Sequence, residues 1–336
     1  MKAKHWILSS RPVGNDYHSA LELIDEDLPT LGDGQYLLKS RVLSMDSGTR
    51  MWMTDRVDSY SPPLPLGSKI LGTTIGEVVE SRHPEYKTGD IVRCYGTWSD
   101  YCIIDPRDVY SATISNPADD LSEHVGVYGA NGWTAYVGVI EVARVKPSET
   151  FLVSAAAGCT GIMAGQVAKL AGCKVIGICG TDEKGEVITS QYGFDGFINY
   201  KSQNVEQAIK DHCPEGVDIY FDNVGGPILD AAISNMATFG RIAVCGLITN
   251  YIADGAVPGP AKFDQVLMNR LRIEGFFSPD FYHRGPEINQ TLKKWADAGQ
   301  LKLPFDSVKG LENTVMAYSK LFTGANIGKV VVEIGD

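Results

Sequence analysis

No run of apolar residues in this 336-residue chain approaches the ~20 that a membrane-spanning helix needs. The first residues, MKAKHWILSSRPVG, put charged and polar groups where a secretory signal needs an apolar core, so a cytoplasmic location and no membrane partner are expected. Basic residues are in deficit. Thirty Lys and Arg against 41 Asp and Glu leave a formal net charge of −11, which argues against nucleic acid as a partner, because its phosphates need a basic face. The seven cysteines (Cys94, Cys102, Cys159, Cys173, Cys179, Cys213 and Cys245) are odd in number and scattered, with no C-x-x-C pair. That excludes a disulfide framework and a closely spaced zinc lobe, and leaves cysteine as a small hydrophobe within apolar runs. The six histidines form no H-x-x-x-H and no His-Glu pair, so no metal is expected. Internal repeats and low-complexity tracts are also missing, as is any Y-x-x-x-K of the kind short-chain dehydrogenases carry.

What is present suggests two domains, since one domain usually takes ~100–200 residues. Residues 1–125 hold short β-like runs broken by glycine and proline, such as QYLLKSRVL (35–43) and IGEVVES (75–81). The stretch KTGDIVRCYGTWSDYCII (87–104) alternates well enough to predict a hairpin pair. A small, mostly β domain is expected there. From residue 126 the texture changes to alternating strand and helix signals. TFLVSAA is followed by the helical TGIMAGQVAKLAG (160–172), which ends on Gly172. KVIGIC (174–179) precedes the helical DEKGEVITSQYG (182–193), and GFINY (196–200), VDIYFDNVG (217–225) and GRIAVCG (240–246) add further strands. Short β-branched runs alternating with helices predict an α/β fold with a doubly wound parallel sheet. IGKVVVEI (327–334) is one more strand, whose partner its pattern does not reveal.

At the first strand-to-helix junction, AAAGCTGIMAG (155–165) reads A-x-x-G-x-x-G through Ala155, Gly158 and Gly161. Small residues let the backbone approach a pyrophosphate, which then sits at a helix N-terminus where free N–H groups and the dipole favour an anion. Alanine in the first position suits that turn if its φ stays negative. Gly165, at i+4 from Gly161, keeps one helix face slim. A helix that needs glycine only to pack closely on strands would read the same way. The next strand ends in ICGTDEK, with Gly180 and Thr181 where NAD-binding domains place a ribose-binding carboxylate. Lys184, one helical turn in, suits a 2′-phosphate and hence NADP; Asp182 and Glu183 complicate that reading but also serve as N-terminal charges of a helix.

With these motifs in one order, the chain resembles the zinc-independent medium-chain dehydrogenase/reductases. Within them it is similar to the branch of leukotriene B4 dehydrogenase/prostaglandin reductases, plant double-bond reductases and bacterial NADPH-dependent curcumin reductases. YSPPLPLG (60–67), GWTAYVG (132–138), AAAGCTG (155–161), YGFDGFINYK (192–201), GVDIYFDNVGG (216–226), CGLITNY (245–251) and GANIGKVVV (324–332) carry the resemblance over essentially the whole chain. YSPP, PGP (258–260) and YHR (282–284) lean toward the curcumin reductases. The resemblance implies a GroES-like catalytic domain over residues 1–125, completed by 300–336, a Rossmann domain over 126–299, and a cleft between them. It also implies NADPH-dependent reduction of a carbon–carbon double bond conjugated to a carbonyl, and a homodimer. By position it places Lys184 and Tyr200 at the 2′-phosphate and Gly158 and Gly161 at the pyrophosphate turn. Asn223, Cys245, Gly246 and Phe277 would lie along the nicotinamide, with Asn326 reaching the cofactor from the C-terminal segment. Tyr251 would stabilise or protonate the enolate; the cofactor ribose 2′-hydroxyl could do the same work, with Tyr251 then a passive aromatic wall.

Two departures from the family pattern touch the expected pocket, where Arg50 and Tyr60 are also placed. The family's S-x-D-P-Y-M-R is SMDSGTR (44–50) here, so Gly48 stands for a tyrosine. GANG (129–132) replaces G-M-P-G, so Ala130 and Asn131 stand for methionine and proline. A wider site is expected, unless Trp52, Met53, Tyr60, Tyr128 or Trp133 re-line it. Quinone or simple carbonyl reduction on the same fold, and cofactor binding without strong catalysis, are the alternatives.

Overall fold

The computed structural model describes every residue except Asp58, Tyr60, Ser61, residues 115–119, Asp254, Ala256 and Asp336. The chain divides into two compact units, Met1–Val125 with Phe305–Ala325 and Val330–Asp336, and Gly126–Pro304 with Asn326–Lys329.

In the first unit the strands are β1 (Lys2–Leu8), β2 (Leu21–Asp27), β3 (Tyr36–Ser44), β4 (Leu71–Ser81), β5 (Ile91–Thr97), β6 (Tyr101–Ile104) and β7 (Ser111–Thr113), with one short helix, α1 (Thr49–Trp52), between β3 and β4. β1 and β2 form a separate antiparallel ribbon. The larger sheet runs β14-β15-β3-β4-β5-β7, where β14 (Phe305–Lys309) and β15 (Lys329–Glu333) return from the end of the chain. β15 pairs antiparallel with β3, Val331 opposite Ser44 and Glu333 opposite Val42, which answers where the C-terminal strand goes. The hairpin predicted over 87–104 does not form. β5 already has β4 on one edge and β7 on the other, so β6 pairs with β3 instead, Tyr101 opposite Lys39. Buried Trp98 and the Ser40 N–H bond to the Asp100 carbonyl, at 2.8 Å, turn the chain toward that edge.

In the second unit the helices and strands alternate as the sequence texture predicts. α2 (Ala130–Tyr136) runs into a π-helical turn, Val137–Val142, and leads to β8 (Thr150–Val153), α3 (Cys159–Leu170), β9 (Lys174–Cys179) and α4 (Asp182–Tyr192). β10 (Gly196–Asn199), α5 (Val205–His212), β11 (Val217–Asp222), α6 (Gly226–Ser234) and β12 (Met236–Val244) follow. α7 (Ile248–Tyr251), α8 (Asp264–Met268), β13 (Arg272–Gly275) and α9 (Gly285–Asp297) complete it, and α10 (Thr314–Thr323) belongs to the first unit. The six strands lie in the order β10-β9-β8-β11-β12-β13, every neighbouring pair parallel. Phe151, Leu152, Val153, Ile219, Tyr220 and Phe221 on the two central strands are fully buried, which is why those strands read as continuous apolar runs. Gly172 and Gly193 stop α3 and α4 with φ of +88° and +74°, a conformation that costs any other residue a clash at Cβ. Among the described residues no helix is long and apolar enough to cross a membrane.

Candidate active site

The order of the second sheet reverses between β8 and β11, so the chain leaves those two strands toward opposite sides and opens a crevice at their carboxyl ends. Ser154, the first residue after β8, and Asn223, the first after β11, close the base of that crevice. The Asn223 backbone N–H donates to Ser154 Oγ at 2.9 Å, and its Nδ2 donates to the Ser154 carbonyl at 2.8 Å. Between them sits Asp222, fully buried. Its Oδ1 accepts from the Tyr220 hydroxyl at 2.8 Å, from the Val224 and Gly225 N–H groups at 2.9 Å each, and from Ser154 Oγ at 3.3 Å. Burial pushes its pKa up despite these donors. Nothing about VDIYFDNVG singles out Asp222 in the sequence, because its role appears only when β8 and β11 are neighbours.

The glycine-rich turn lies on the same edge. Gly158 is the N-cap of α3, φ −82° and ψ 169°, and no side chain caps the helix. Gly161 is required by contact: a Cβ there would lie 2.3 Å from the Ala155 carbonyl oxygen and 2.8 Å from the Ala156 Cα. Gly165 leaves room for the ring of Phe194, 2.0 Å from where its Cβ would be. One expectation is corrected. Ala155 has φ +48°, in the left-handed region, so the turn has the shape a glycine fingerprint would adopt and alanine occupies it under strain. The short connection needs that bend to carry the chain from β8 into α3, and the exposed side chain meets no obstacle. A cradle with an uncapped helix terminus and a Cβ-free wall fits a dinucleotide pyrophosphate.

The C-terminal segment Asn326–Lys329 runs beside this cradle within the second unit. Gly328 forms a parallel bridge with Gly158, and its N–H donates to the Ala157 carbonyl at 2.8 Å. Buried Asn326 donates from Nδ2 to the Gly328 carbonyl at 3.0 Å. Gly328, which the sequence reading passed over, has φ +74°, and a Cβ on it would meet the Pro304 carbonyl at 2.0 Å. Asn131, placed in the substrate pocket by position, donates to Thr160 Oγ1 in the first turn of α3 at 3.3 Å. It therefore stands at the cradle, next to Ala130 at the start of α2.

At the end of β9, Thr181 is the N-cap of α4 and accepts from the Lys184 N–H at 3.3 Å. Asp182 is held at the tip of the neighbouring strand β10, its Oδ1 accepting from Asn199 Nδ2 at 2.8 Å. Tyr200 lies over Gly180, where a Cβ would come within 3.1 Å of its hydroxyl, and Lys201 Nζ is 6.0 Å from the centre of its ring. Lys201 went unnoticed in the sequence, and its place beside Tyr200 is the only signal for it. On the far side of the crevice the Asp222 carbonyl accepts from the N–H groups of Cys245 and Gly246 at 2.9 and 3.0 Å. Tyr251, at the end of α7, folds back so that its hydroxyl oxygen accepts from the Leu247 N–H at 3.2 Å. Burial raises its pKa, as it does that of the Cys245 thiol. Phe277 begins the turn after β13, next to Phe276, whose ring packs edge-on to Phe221.

Of the remaining pocket residues, Gly48 precedes α1 and Arg50 is buried in the first unit, donating from Nη2 to the Pro12 carbonyl at 2.9 Å. Tyr60 lies outside the described residues. Met53 belongs to the core of the first unit, and Trp133 is buried in the second, its Nε1 donating to Asn289 Oδ1 at 2.7 Å. Neither side chain is therefore available to re-line a pocket. No group of three or more His, Cys, Asp and Glu that could hold a metal occurs among the described residues.

Comparison with known proteins agrees with this geometry. The family described as an N-terminal domain of oxidoreductase matches residues 4–111, and the zinc-binding dehydrogenase family matches residues 159–295. The NADPH-dependent curcumin reductase of Escherichia coli (strain K12) is 36% identical over 98% of this chain and 96% of its own. The chain belongs to the medium-chain dehydrogenase/reductase family. It falls in the branch of the curcumin, 2-alkenal and prostaglandin reductases. Within that family, the NADP(+)-dependent 2-alkenal reductase of Nicotiana tabacum is 38% identical over 90% of this chain and 88% of its own. The crystal structure of CurA from Vibrio vulnificus in complex with NADPH superposes with a TM-score of 0.93, at 35% identity and 99% coverage of both chains. The Escherichia coli quinone oxidoreductase complexed with NADPH shares the fold, at a TM-score of 0.79 and 21% identity over 98% of this chain and 99% of that one.

Proposed function

We propose that this chain is an NADPH-dependent ene-reductase that adds hydride to the β-carbon of an α,β-unsaturated ketone or aldehyde. The bound cofactor supplies the hydride. Gly158, Gly161 and the first turn of α3 hold the pyrophosphate, Asn326 reaches it from the C-terminal segment, and Lys184 with Tyr200 holds the 2′-phosphate. Asp182 and Glu183 lie in the first turn of α4, where their charges favour the helix N-terminus, and Asp182 is bonded to Asn199. Asn223, Cys245, Gly246 and Phe277 flank the nicotinamide.

The observation that carries the reaction is the Tyr251 hydroxyl. Its oxygen accepts from the Leu247 N–H, which leaves its own proton free to donate, and burial, by disfavouring the phenolate, extends the range in which that proton is held. As hydride reaches the β-carbon, charge builds on the substrate carbonyl oxygen. A donor aimed at that oxygen lowers the barrier, by ~3 kcal/mol in comparable sites. The α-carbon then takes a proton, from Tyr251 or from solvent through it.

NADPH consumption measured with a conjugated enone, a saturated ketone and a quinone tests the reading. Turnover of the enone is expected; turnover of the ketone alone overturns it. We also read the protein as a cytoplasmic homodimer. The cysteines are thiols, as a reducing compartment keeps them. Phe239, Phe263, Leu267 and Met268 are each more than half exposed around the edge strand β13, an apolar margin a second copy would cover. A monomer mass by light scattering at micromolar concentration would refute the dimer.

A further inference from the structure

We infer that Thr249 is a positioning residue for Tyr251: its hydroxyl clamps the turn that carries the tyrosine onto the loop after β11. The inference rests on the role given to Tyr251 above and adds how that side chain is held.

The segment from Cys245 to Tyr251 is short, and α7 is a single turn with no side-chain cap. Its own bonds, from the Asn250 and Tyr251 N–H groups to the Leu247 carbonyl at 2.8 and 3.2 Å, close the turn on itself but do not anchor it to a neighbouring element. What fixes it is a ladder to three consecutive carbonyls of the neighbouring loop. Asp222 accepts from Cys245 and Gly246, Asn223 accepts from the Ile248 N–H at 3.4 Å, and Val224 accepts from the Thr249 N–H at 3.1 Å. The last rung is doubled, since Thr249 Oγ1 donates to the same Val224 carbonyl at 2.6 Å. Asn250 Oδ1 competes for that hydroxyl proton from 3.2 Å, and the shorter bond takes it. The Thr249 hydroxyl is the one side-chain rung of the ladder and its shortest.

The loop it grips is itself held and shaped for the contact. Asp222 Oδ1 fixes the N–H groups of Val224 and Gly225, so the Val224 carbonyl cannot swing away. Gly225 and Gly226 have φ of +75° and +55°, and a Cβ on either would lie 3.3 Å from Thr249 Oγ1. Two glycines thus give the threonine its close approach. The chain of restraint runs from Asp222 through Val224 to Thr249, and one residue pair further to Tyr251, whose hydroxyl in turn closes on the Leu247 N–H. Freed of the hydroxyl rung, the turn keeps its backbone bonds but gains slack at the tyrosine, and misplacement by ~1 Å can cost up to a hundredfold in rate.

The test compares Thr249→Val, Thr249→Ser and Tyr251→Phe with the parent enzyme, reading kcat with a conjugated enone and the NADPH dissociation constant by fluorescence. Thr249→Val should lower kcat about tenfold and leave NADPH binding within about twofold, because the cradle at α3 is untouched. Thr249→Ser keeps the hydroxyl and should restore kcat to within about threefold of the parent. In Tyr251→Phe, adding Thr249→Val should cost little more, since the clamp then holds nothing that reacts. If Thr249→Ser loses as much as Thr249→Val, or if kcat and NADPH binding fall together, the clamp is overturned. If Tyr251→Phe lowers kcat but Thr249→Val does not, the clamp alone fails; if Tyr251→Phe has parental kcat, the reading of Tyr251 fails and takes the clamp with it.

Discussion

Gly158 and Gly161 look equivalent in the fingerprint, yet the structure assigns them different tolerances. A Cβ at Gly158 meets one atom, the Ala155 carbonyl oxygen at 3.2 Å, and the backbone there (φ −82°, ψ 169°) suits alanine. At Gly161 the same oxygen is 2.3 Å away and the Ala156 Cα 2.8 Å away, and both are backbone atoms of the cradle. To regain ordinary contact the first turn of α3 must retreat by roughly 1 Å. Overpacking of that kind costs about 1–3 kcal/mol. The better helix propensity of alanine returns up to ~1 kcal/mol, leaving Gly161→Ala destabilised by roughly 1–2 kcal/mol. The same retreat pulls the helix N–H groups from the pyrophosphate, so NADPH affinity should fall about tenfold or more, equivalent to ~1.4 kcal/mol. Gly158→Ala should bind within about threefold of the parent, a shift of well under 1 kcal/mol. Urea unfolding gives the stabilities and NADPH fluorescence titration gives the affinities. Equal losses for the two variants, or parental NADPH binding by Gly161→Ala, would refute the argument.

Three further outcomes follow from the same geometry. Ala155→Gly removes left-handed strain of about 1–2 kcal/mol but adds unfolded-state entropy of about 0.4–1 kcal/mol. It should therefore raise stability by roughly 0.5–1 kcal/mol in chemical unfolding, and a loss of stability would show that the strain is not there. Lys184→Ala should shrink the preference for NADPH over NADH by about tenfold, the worth of one hydrogen bond to a charged group; an unchanged preference ends the assignment of the 2′-phosphate to Lys184. The pKa of Tyr251 is raised by burial, so its neutral, donating form persists above the ordinary tyrosine value and is lost only as pH rises through the raised one. The kcat for an enone at saturating NADPH should then hold up to about pH 10, where an unperturbed tyrosine is half ionised, and a fall with a midpoint below that value would remove Tyr251 as the donor.

Periodicity and turn chemistry made most of the second unit legible before any coordinates. The runs TFLV, KVIGIC and GRIAV are apolar on both faces, and the glycines at 172 and 193 end helices, because these are local demands of a buried parallel sheet. The first unit was less legible. β5 and β6 alternate alike and lie close in sequence, but which edge of the sheet β6 takes depends on the edges β4 and β7 already occupy. Residue types near the fingerprint announced a phosphate cradle, while the sign of φ at Ala155 did not show, since it depends on how far the chain must bend between β8 and α3.

By itself, then, the sequence determined the doubly wound sheet, the glycine-rich turn into α3 and the family pattern, all of which rest on short-range spacing and backbone geometry. Tertiary structure alone decided that Asp222 binds the ends of β8 and β11, that Asn131 stands at Thr160, that Gly328 bridges Gly158, and that Thr249 grips Val224. Each of these joins residues from 25 to 170 positions apart, and no local propensity encodes which distant carbonyl a hydroxyl or amide will meet once the strands are ordered.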